Sequence, residues 1–142
     1  MITVRQKHPE NFNYGTGYVV PSGRYWLGDP AIFLDKHVYE QLLNMAFRND
    51  EDFCAGYYGD FLMTAMRTAY GDGRYFDNEQ TSYDVDSGLI ALLPIELRSD
   101  FAQVNSGKFV KFAQPVIFCK DNNSTFYLGI NGKNLVIRTD ND

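Results

Sequence analysis

Cysteine and histidine, the side chains most used for metal and nucleophilic chemistry, occur only twice each in 142 residues. Cys54 and Cys119 form no Cys-x-x-Cys and keep no ligand spacing with His8 or His37. That excludes a zinc knuckle and a secreted disulfide framework. Cys119 lies in an apolar run and reads as a buried core thiol. There is no Gly-x-Ser-x-Gly, and a Cys54–His pair stays open only because such partners need not be close in sequence. No apolar stretch approaches the roughly 18 residues that cross a membrane. The segment Met1–Lys7 lacks the apolar core of a signal peptide, so a cytoplasmic protein is expected. Basic residues are few, 13 against 18 acidic, for a formal net charge of −5. With no Lys/Arg run, nonspecific binding to a nucleic-acid backbone is not expected.

What is abundant is aromatic: 11 Phe and 10 Tyr against one Trp. Tyr joins a large apolar face to a hydroxyl that needs a partner, and favours β surfaces and binding faces. Hydrophobic content of 44% and charged content of 22% fit one globular domain over residues 1–142. No repeat, low-complexity tract or linker is apparent.

The pattern reads as α+β: a mainly antiparallel, curved sheet with one packed helix at about residues 36–47. Asp35 is placed to cap that helix, and Val38, Leu42, Met45 and Ala46 share a face, widened by Leu43 and Phe47. A short strand is expected over 2–7 and irregular chain over 11–17. Tyr18-Val19-Val20 and Arg24–Leu27, around Pro21-Ser22-Gly23, read as a hairpin. Gly28-Asp29-Pro30 turns the chain, Pro30 keeping Asp29 out of helical geometry. Phe53–Asp60 is ambiguous, and Phe61–Arg67 reads as a strand. Arg74–Phe76 and Thr81–Tyr83 flank a turn at 77–80. Leu89–Leu93 is a central strand closed by Pro94, and Ser99–Val104 a helical turn. Lys108–Phe112, Val116–Lys120, Thr125–Ile130 and Leu135–Thr139 read as successive antiparallel strands. Phe126, Leu128 and Ile130 share one face, as do Leu135 and Ile137. Asp121–Ser124 is a turn, and Asn131-Gly132 suits a tight type I′ hairpin.

Two kinds of site are open. Asp29, Asp72, Asp84 and Asp86 sit beside glycines in loops, where carboxylates hold Mg²⁺ or Ca²⁺ or act as acid and base. On a strand, Asp84 and Asp86 would share a face about 6–7 Å apart. The competing reading is turn chemistry, since Asp beside Gly bonds its own backbone. An EF-hand is excluded, because Ile95 stands where its closing Glu belongs. Gly71-Asp72-Gly73 ends in Phe76 with no following helix, Gly15-Thr16-Gly17 precedes a strand, and neither ends in Gly-Lys-Ser/Thr, so phosphate loops are excluded. The second kind is an aromatic recognition surface from Tyr14, Tyr18, Tyr25, Trp26, Tyr57, Tyr58, Tyr70, Tyr75 and Tyr83, with Arg24 and Arg74 as cationic contacts. The competing reading is that these rings close the ends of the sheet.

Ser22-Gly23-x-Tyr25-x-x-Gly28-Asp29-Pro30, Tyr70-Gly71-Asp72-Gly73-x-Tyr75 and Val85-Asp86-Ser87-Gly88-Leu89-Ile90 resemble blocks shared by a group of small uncharacterised proteins of bacteria and their phages. The resemblance spans roughly residues 22 to 93. It implies a microbial or phage cytoplasmic setting and assigns no catalytic residue. Ala31 stands where similar sequences often carry Cys, which weakens a thiol-based reading. The expectation is a non-enzymatic binding protein, such as a phage-encoded inhibitor of a host factor. It would recognise a host protein or small ligand through Tyr25, Trp26, Asp29, Tyr70, Asp72, Arg74, Tyr75 and Tyr83. The alternatives are a metal-assisted enzyme or nucleotide-type small-ligand binder using the four aspartates, and a purely structural or virion-associated role.

Overall fold

The computed structural model describes residues 5–48, 52–130 and 134–140. Asn131-Gly132, residues 49–51 after the helix and the first residues of the expected N-terminal strand lie outside them. The strands are β1 (Arg5–Gln6), β2 (Glu10–Phe12), β3 (Gly15–Val20), β4 (Gly23–Gly28), β5 (Phe53–Tyr58), β6 (Phe61–Arg67), β7 (Gly73–Phe76), β8 (Ser82–Val85), β9 (Leu89–Pro94), β10 (Lys108–Phe112), β11 (Val116–Lys120), β12 (Thr125–Gly129) and β13 (Leu135–Arg138). Two helices, α1 (Pro30–Phe33) and α2 (Lys36–Arg48), follow β4. The fold is α+β, with every strand pair antiparallel and α2 the one long helix.

The curved sheet is divided in two. One sheet runs β1-β5-β6-β9-β4-β10 and the other β13-β12-β11-β3-β2, while β7 and β8 form a separate hairpin. The six-stranded sheet is covered on both faces. Tyr25, Leu27, Leu62, Met66, Ile90 and Leu92 face the five-stranded sheet and meet Tyr18, Val20, Phe118, Phe126 and Leu128. The alternate residues Trp26, Met63, Ala65, Leu89, Ala91 and Leu93 face the helices and meet Phe33, Val38 and Leu42. A strand buried on both faces has no polar side, so β9 reads as one unbroken apolar run. Among the described residues no helix is long and apolar enough to cross a membrane.

The expected hairpin at residues 18–27 does not form, because β3 and β4 belong to different sheets. Nor do four successive strands close the chain, since β10 pairs with β4 while β11, β12 and β13 follow one another in the other sheet. Both departures have one cause. Val20 faces Val116 and Gly23 faces Phe112, so β3–β4 and β11–β10 form one bent ribbon crossing from sheet to sheet. Residues 21–22 on one side oppose 113–115 on the other, the unequal count of a bulge, which sharpens the bend at a sandwich corner. The Tyr25 hydroxyl donates to the Pro21 carbonyl at 2.7 Å and pins that corner.

Smaller departures follow from local packing. Residues 10–12 pair with β3 instead of being irregular. Phe53–Tyr58 is strand, and the helical turn expected at 99–104 is one hydrogen-bonded turn in which the Ala102 amide donates to the Ser99 carbonyl, with a separate 3₁₀ turn before it at Ile95–Leu97. Ile130 is exposed, beyond the end of β12, while Phe126 and Leu128 are buried.

A local repeat also escapes the sequence reading: Asp77-Asn78-Glu79-Gln80-Thr81-Ser82-Tyr83 and Asp121-Asn122-Asn123-Ser124-Thr125-Phe126-Tyr127 share Asp-Asn-x-x-Thr-x-Tyr. Both build the same turn. Asp77 Oδ1 accepts from the Glu79 and Thr81 amides at 2.8 and 2.9 Å, and Oδ2 from the Tyr83 hydroxyl at 2.7 Å. Asp121 Oδ1 accepts from the Asn123 and Thr125 amides at 2.9 and 3.0 Å, and Oδ2 from the Tyr127 hydroxyl at 2.9 Å. Gln80 and Ser124, at the same place in each, take positive φ of 67° and 59°.

Burial works to push the Asp77 carboxyl up, but the Tyr83, Thr81 and Glu79 hydrogen bonds and the Lys108 charge outweigh it and hold it below the usual carboxylate range. The unfolded chain therefore takes up this proton first. The stability Asp77 supplies at neutral pH is lost as pH falls below about 4 and on through the lower native value. Asp77→Asn should cost about 1–3 kcal/mol at pH 7 and flatten the loss between about pH 5 and 3, read from urea melts. An acid loss identical to the parent's would clear Asp77 of the role.

Candidate functional site

The Gly28-Asp29-Pro30 turn ends β4 and starts α1. Asp29 is extended (φ −75°, ψ 119°) and its side chain accepts from the Ala31 amide, an N-cap with Pro30 next to it. The same carboxylate holds the entry to β9. Oδ2 accepts from the Asp86 and Ser87 amides at 2.7 and 3.3 Å, and Oδ1 from the Ser87 hydroxyl at 2.6 Å. Asp29 is 1% exposed. Burial, then the Asp29 charge, raises the Tyr39 phenol above its ordinary value, opposed by a hydrogen bond with Ser87.

The other loop of this corner is pinned from below. The Tyr75 hydroxyl donates to the Gly71 carbonyl at 3.0 Å, and the Thr68 amide donates to the Gly88 carbonyl at 3.0 Å. Gly71 has a φ of +79°, a left-handed geometry that disfavours any side chain. Outside this corner lies a polar cleft of about 570 Å³. Asp72 and Arg74 line it from β7 and the loop before it, Asp84 from β8, Asp86 from just beyond that strand, and Gln103 and Asn105 from the loop before β10. Arg74 sits directly across the hairpin from Asp84 and donates from Nε to Oδ1 at 2.7 Å. That hydrogen bond and the Asp84 charge raise the Arg74 pKa further.

Asp72, Arg74, Asp84 and Asp86 thus share one cleft, while Asp29 sits behind its wall with its oxygens already engaged. Asp86 lies beyond the end of β8, so it does not share a strand face with Asp84. Among the described residues, no three His, Cys, Asp or Glu side chains are grouped so as to hold a metal ion. Gln103, Asn105 and Ile32 are lining residues that the sequence reading passed over. Ile32 follows the Gly-Asp-Pro turn. Gln103 and Asn105 lie in a segment without a motif, brought here by the pairing of β10 with β4 and by bonds to β8, where the Gly107 amide donates to the Ser82 carbonyl at 2.9 Å and the Asp84 amide to the Ser106 hydroxyl at 3.2 Å.

The aromatic surface is corrected more sharply. Tyr18, Tyr25, Trp26, Tyr75 and Tyr83 are all buried. Tyr75 and Tyr83 belong to the core between the sheets, and Trp26 stacks on Phe33 with ring centroids 4.8 Å apart. A Cβ on Gly28 would lie 2.3 Å from the indole, so this glycine leaves room for the ring. Tyr14 packs by Tyr127, and Arg5 lies over Tyr57. Tyr70 alone of the expected recognition residues on aromatic side chains stands out, 64% exposed. Burial pushes the Cys54 and Cys119 thiols up to about 12 and about 11, and both are buried, surroundings that disfavour the thiolate.

The chain matches no protein-family model, no curated protein and no solved structure.

Trp26→Ala should cost about 3–5 kcal/mol in chemical denaturation, a large share of a domain's total stability. Tyr70→Ala should stay within about 0.5 kcal/mol of the parent. Equal effects of the two would refute the division into core and surface rings.

Proposed function

We propose that the chain is a small, acidic, non-enzymatic binding protein that receives a cationic element of a partner protein in the cleft of Asp72, Asp84 and Asp86. The supporting observation is the charge inside that cleft. Arg74 neutralises Asp84, which leaves Asp72 and Asp86 exposed without an ion pair among the described residues. An Arg or Lys side chain offers donors to both carboxylates, and the amides of Gln103 and Asn105 can hydrogen-bond its backbone. The net charge of −5 favours encounter with a basic surface. The aspartate loops carry recognition in this reading, and the tyrosines hold the loops in place.

The resemblance to bacterial and phage proteins supports a cytoplasmic setting, and a phage-encoded inhibitor of a host factor is the form such a role would take. The alternative is a divalent cation in the same cleft serving a small-ligand site.

An Arg-Gly-Arg peptide titrated into isotopically labelled protein should shift the amide signals of Asp72, Gly73 and Asp86. Asp72→Asn with Asp86→Asn should weaken that binding at least about tenfold, roughly 1.4 kcal/mol, at an unchanged melting temperature. Binding that survives the double substitution would sink the proposal. A melting temperature raised by Mg²⁺ or Ca²⁺, and not by Na⁺ of equal ionic strength, would favour the cation instead.

A further inference from the structure

The six-stranded sheet ends in β10, whose five residues pair with β4 on one side and with no strand among the described residues on the other. In an antiparallel pair alternate residues turn their N–H and C=O outward, so β10 offers an unpaired row. The side chains along that row are unusual for an acidic chain. Lys111 lies directly across from Arg24, both exposed and neither in an ion pair among the described residues. Like charges directly opposite one another on paired strands are destabilising. Two positions along the same face, Phe109 is 53% exposed, with the Arg98 guanidinium 5.8 Å from its ring centroid. Arg24, Lys111, Phe109 and Ile95 border one depression of about 190 Å³.

We infer that β10 docks an acidic, extended segment of a partner protein, which adds to the sheet as a seventh strand. Main-chain hydrogen bonds from the outer edge of β10 supply the affinity, and side chains of alternate residues supply the selection. A carboxylate opposite Lys111 relieves the repulsion between Lys111 and Arg24. Two residues along the added strand, on the same face, an apolar side chain meets Phe109. The preferred segment is therefore acidic-x-apolar in alternation. A second copy of this chain is a poorer occupant, because antiparallel pairing of two full β10 strands sets Phe109 against Lys111 and Lys108 against Phe112, and brings no carboxylate to Lys111 and Arg24. Lys108 is already held by Asp77 and Glu79, so the selecting cations are Arg24, Lys111 and Arg98. This surface is separate from the aspartate cleft and of opposite sign.

Fluorescence anisotropy with a labelled Glu-Thr-Val-Thr-Glu peptide, which sets Glu and Val two apart on one face, and a Lys-Thr-Val-Thr-Lys control tests the inference on the intact chain. The acidic peptide should bind at least about tenfold more tightly, and its affinity should fall with added salt. Arg24→Gln with Lys111→Gln should lose about tenfold of that affinity while the melting temperature holds or rises, because a like-charge pair has gone. Methylating alternate backbone nitrogens of the peptide should abolish binding, and Asp72→Asn with Asp86→Asn should leave it intact. Equal binding of the two peptides, full binding by the Arg24/Lys111 variant or by the methylated peptide, or a dimer in sedimentation whose formation blocks the peptide would each overturn the inference.

Discussion

The six-stranded sheet has two cores to satisfy, and everything else is arranged around that demand. At its centre β6, β9 and β4 send alternate side chains to the helices and to the second sheet, and almost none of those side chains is polar. Each face must therefore be covered along its length. The helices cover one face, and the five-stranded sheet covers the other by way of the bent β3–β4 and β11–β10 ribbon. One more tie holds an end of the stack: the buried Lys120 ammonium, on the five-stranded sheet, donates to the Arg67 carbonyl of β6 at 2.8 Å. Burial pushes the Lys120 pKa down, opposed by the charge of Asp52.

That two-sided burial explains what could and could not be read from the residues. The run Leu89–Leu93 and the periodic stripe of Val38 and Leu42 report burial directly, so β9 and α2 were legible. Strand pairing was not, because Tyr18 and Val20 alternate in the same way whether their partner is Tyr25 across a tight turn or Val116 far along the chain. Period and turn composition register one strand's faces and carry no record of which sheet covers them. The site was half legible for the same reason. Asp72, Asp84 and Asp86 stand in or beside glycine-rich loops that the composition marks, whereas Gln103 and Asn105 reach the cleft through contacts distant in sequence, the β10–β4 pairing and the bonds of residues 106 and 107 to β8.

The tyrosines failed as surface residues for a reason their chemistry supplies. A buried phenol must find a partner, and here the partner is repeatedly a loop. Tyr25 reaches the Pro21 carbonyl, Tyr75 the Gly71 carbonyl, Tyr83 the Asp77 carboxylate and Tyr127 the Asp121 carboxylate. Each ring fills space at the edge of the core while its hydroxyl fastens a turn above it. An abundance of Tyr beside Gly and Asp is the composition such pins require, and it resembles a recognition surface when only the sequence is in view.

The aspartates divide along the same line. Asp29, Asp77 and Asp121 accept from backbone amides and hydroxyls, so their charge is met inside the fold and gives shape to a corner or a turn. Asp72 and Asp86 receive no such side-chain bonds among the described residues and stand in solvent on loops whose backbone is hydrogen-bonded by Tyr75 and Asp29. A carboxylate without a partner of its own keeps its full capacity for an incoming cation. At the β10 edge the opposite charge is treated the same way, with Arg24 and Lys111 held in register by the β4–β10 pairing and in no ion pair among the described residues. In both places the fold meets the charges it needs internally and leaves the remainder at positions its own backbone cannot neutralise.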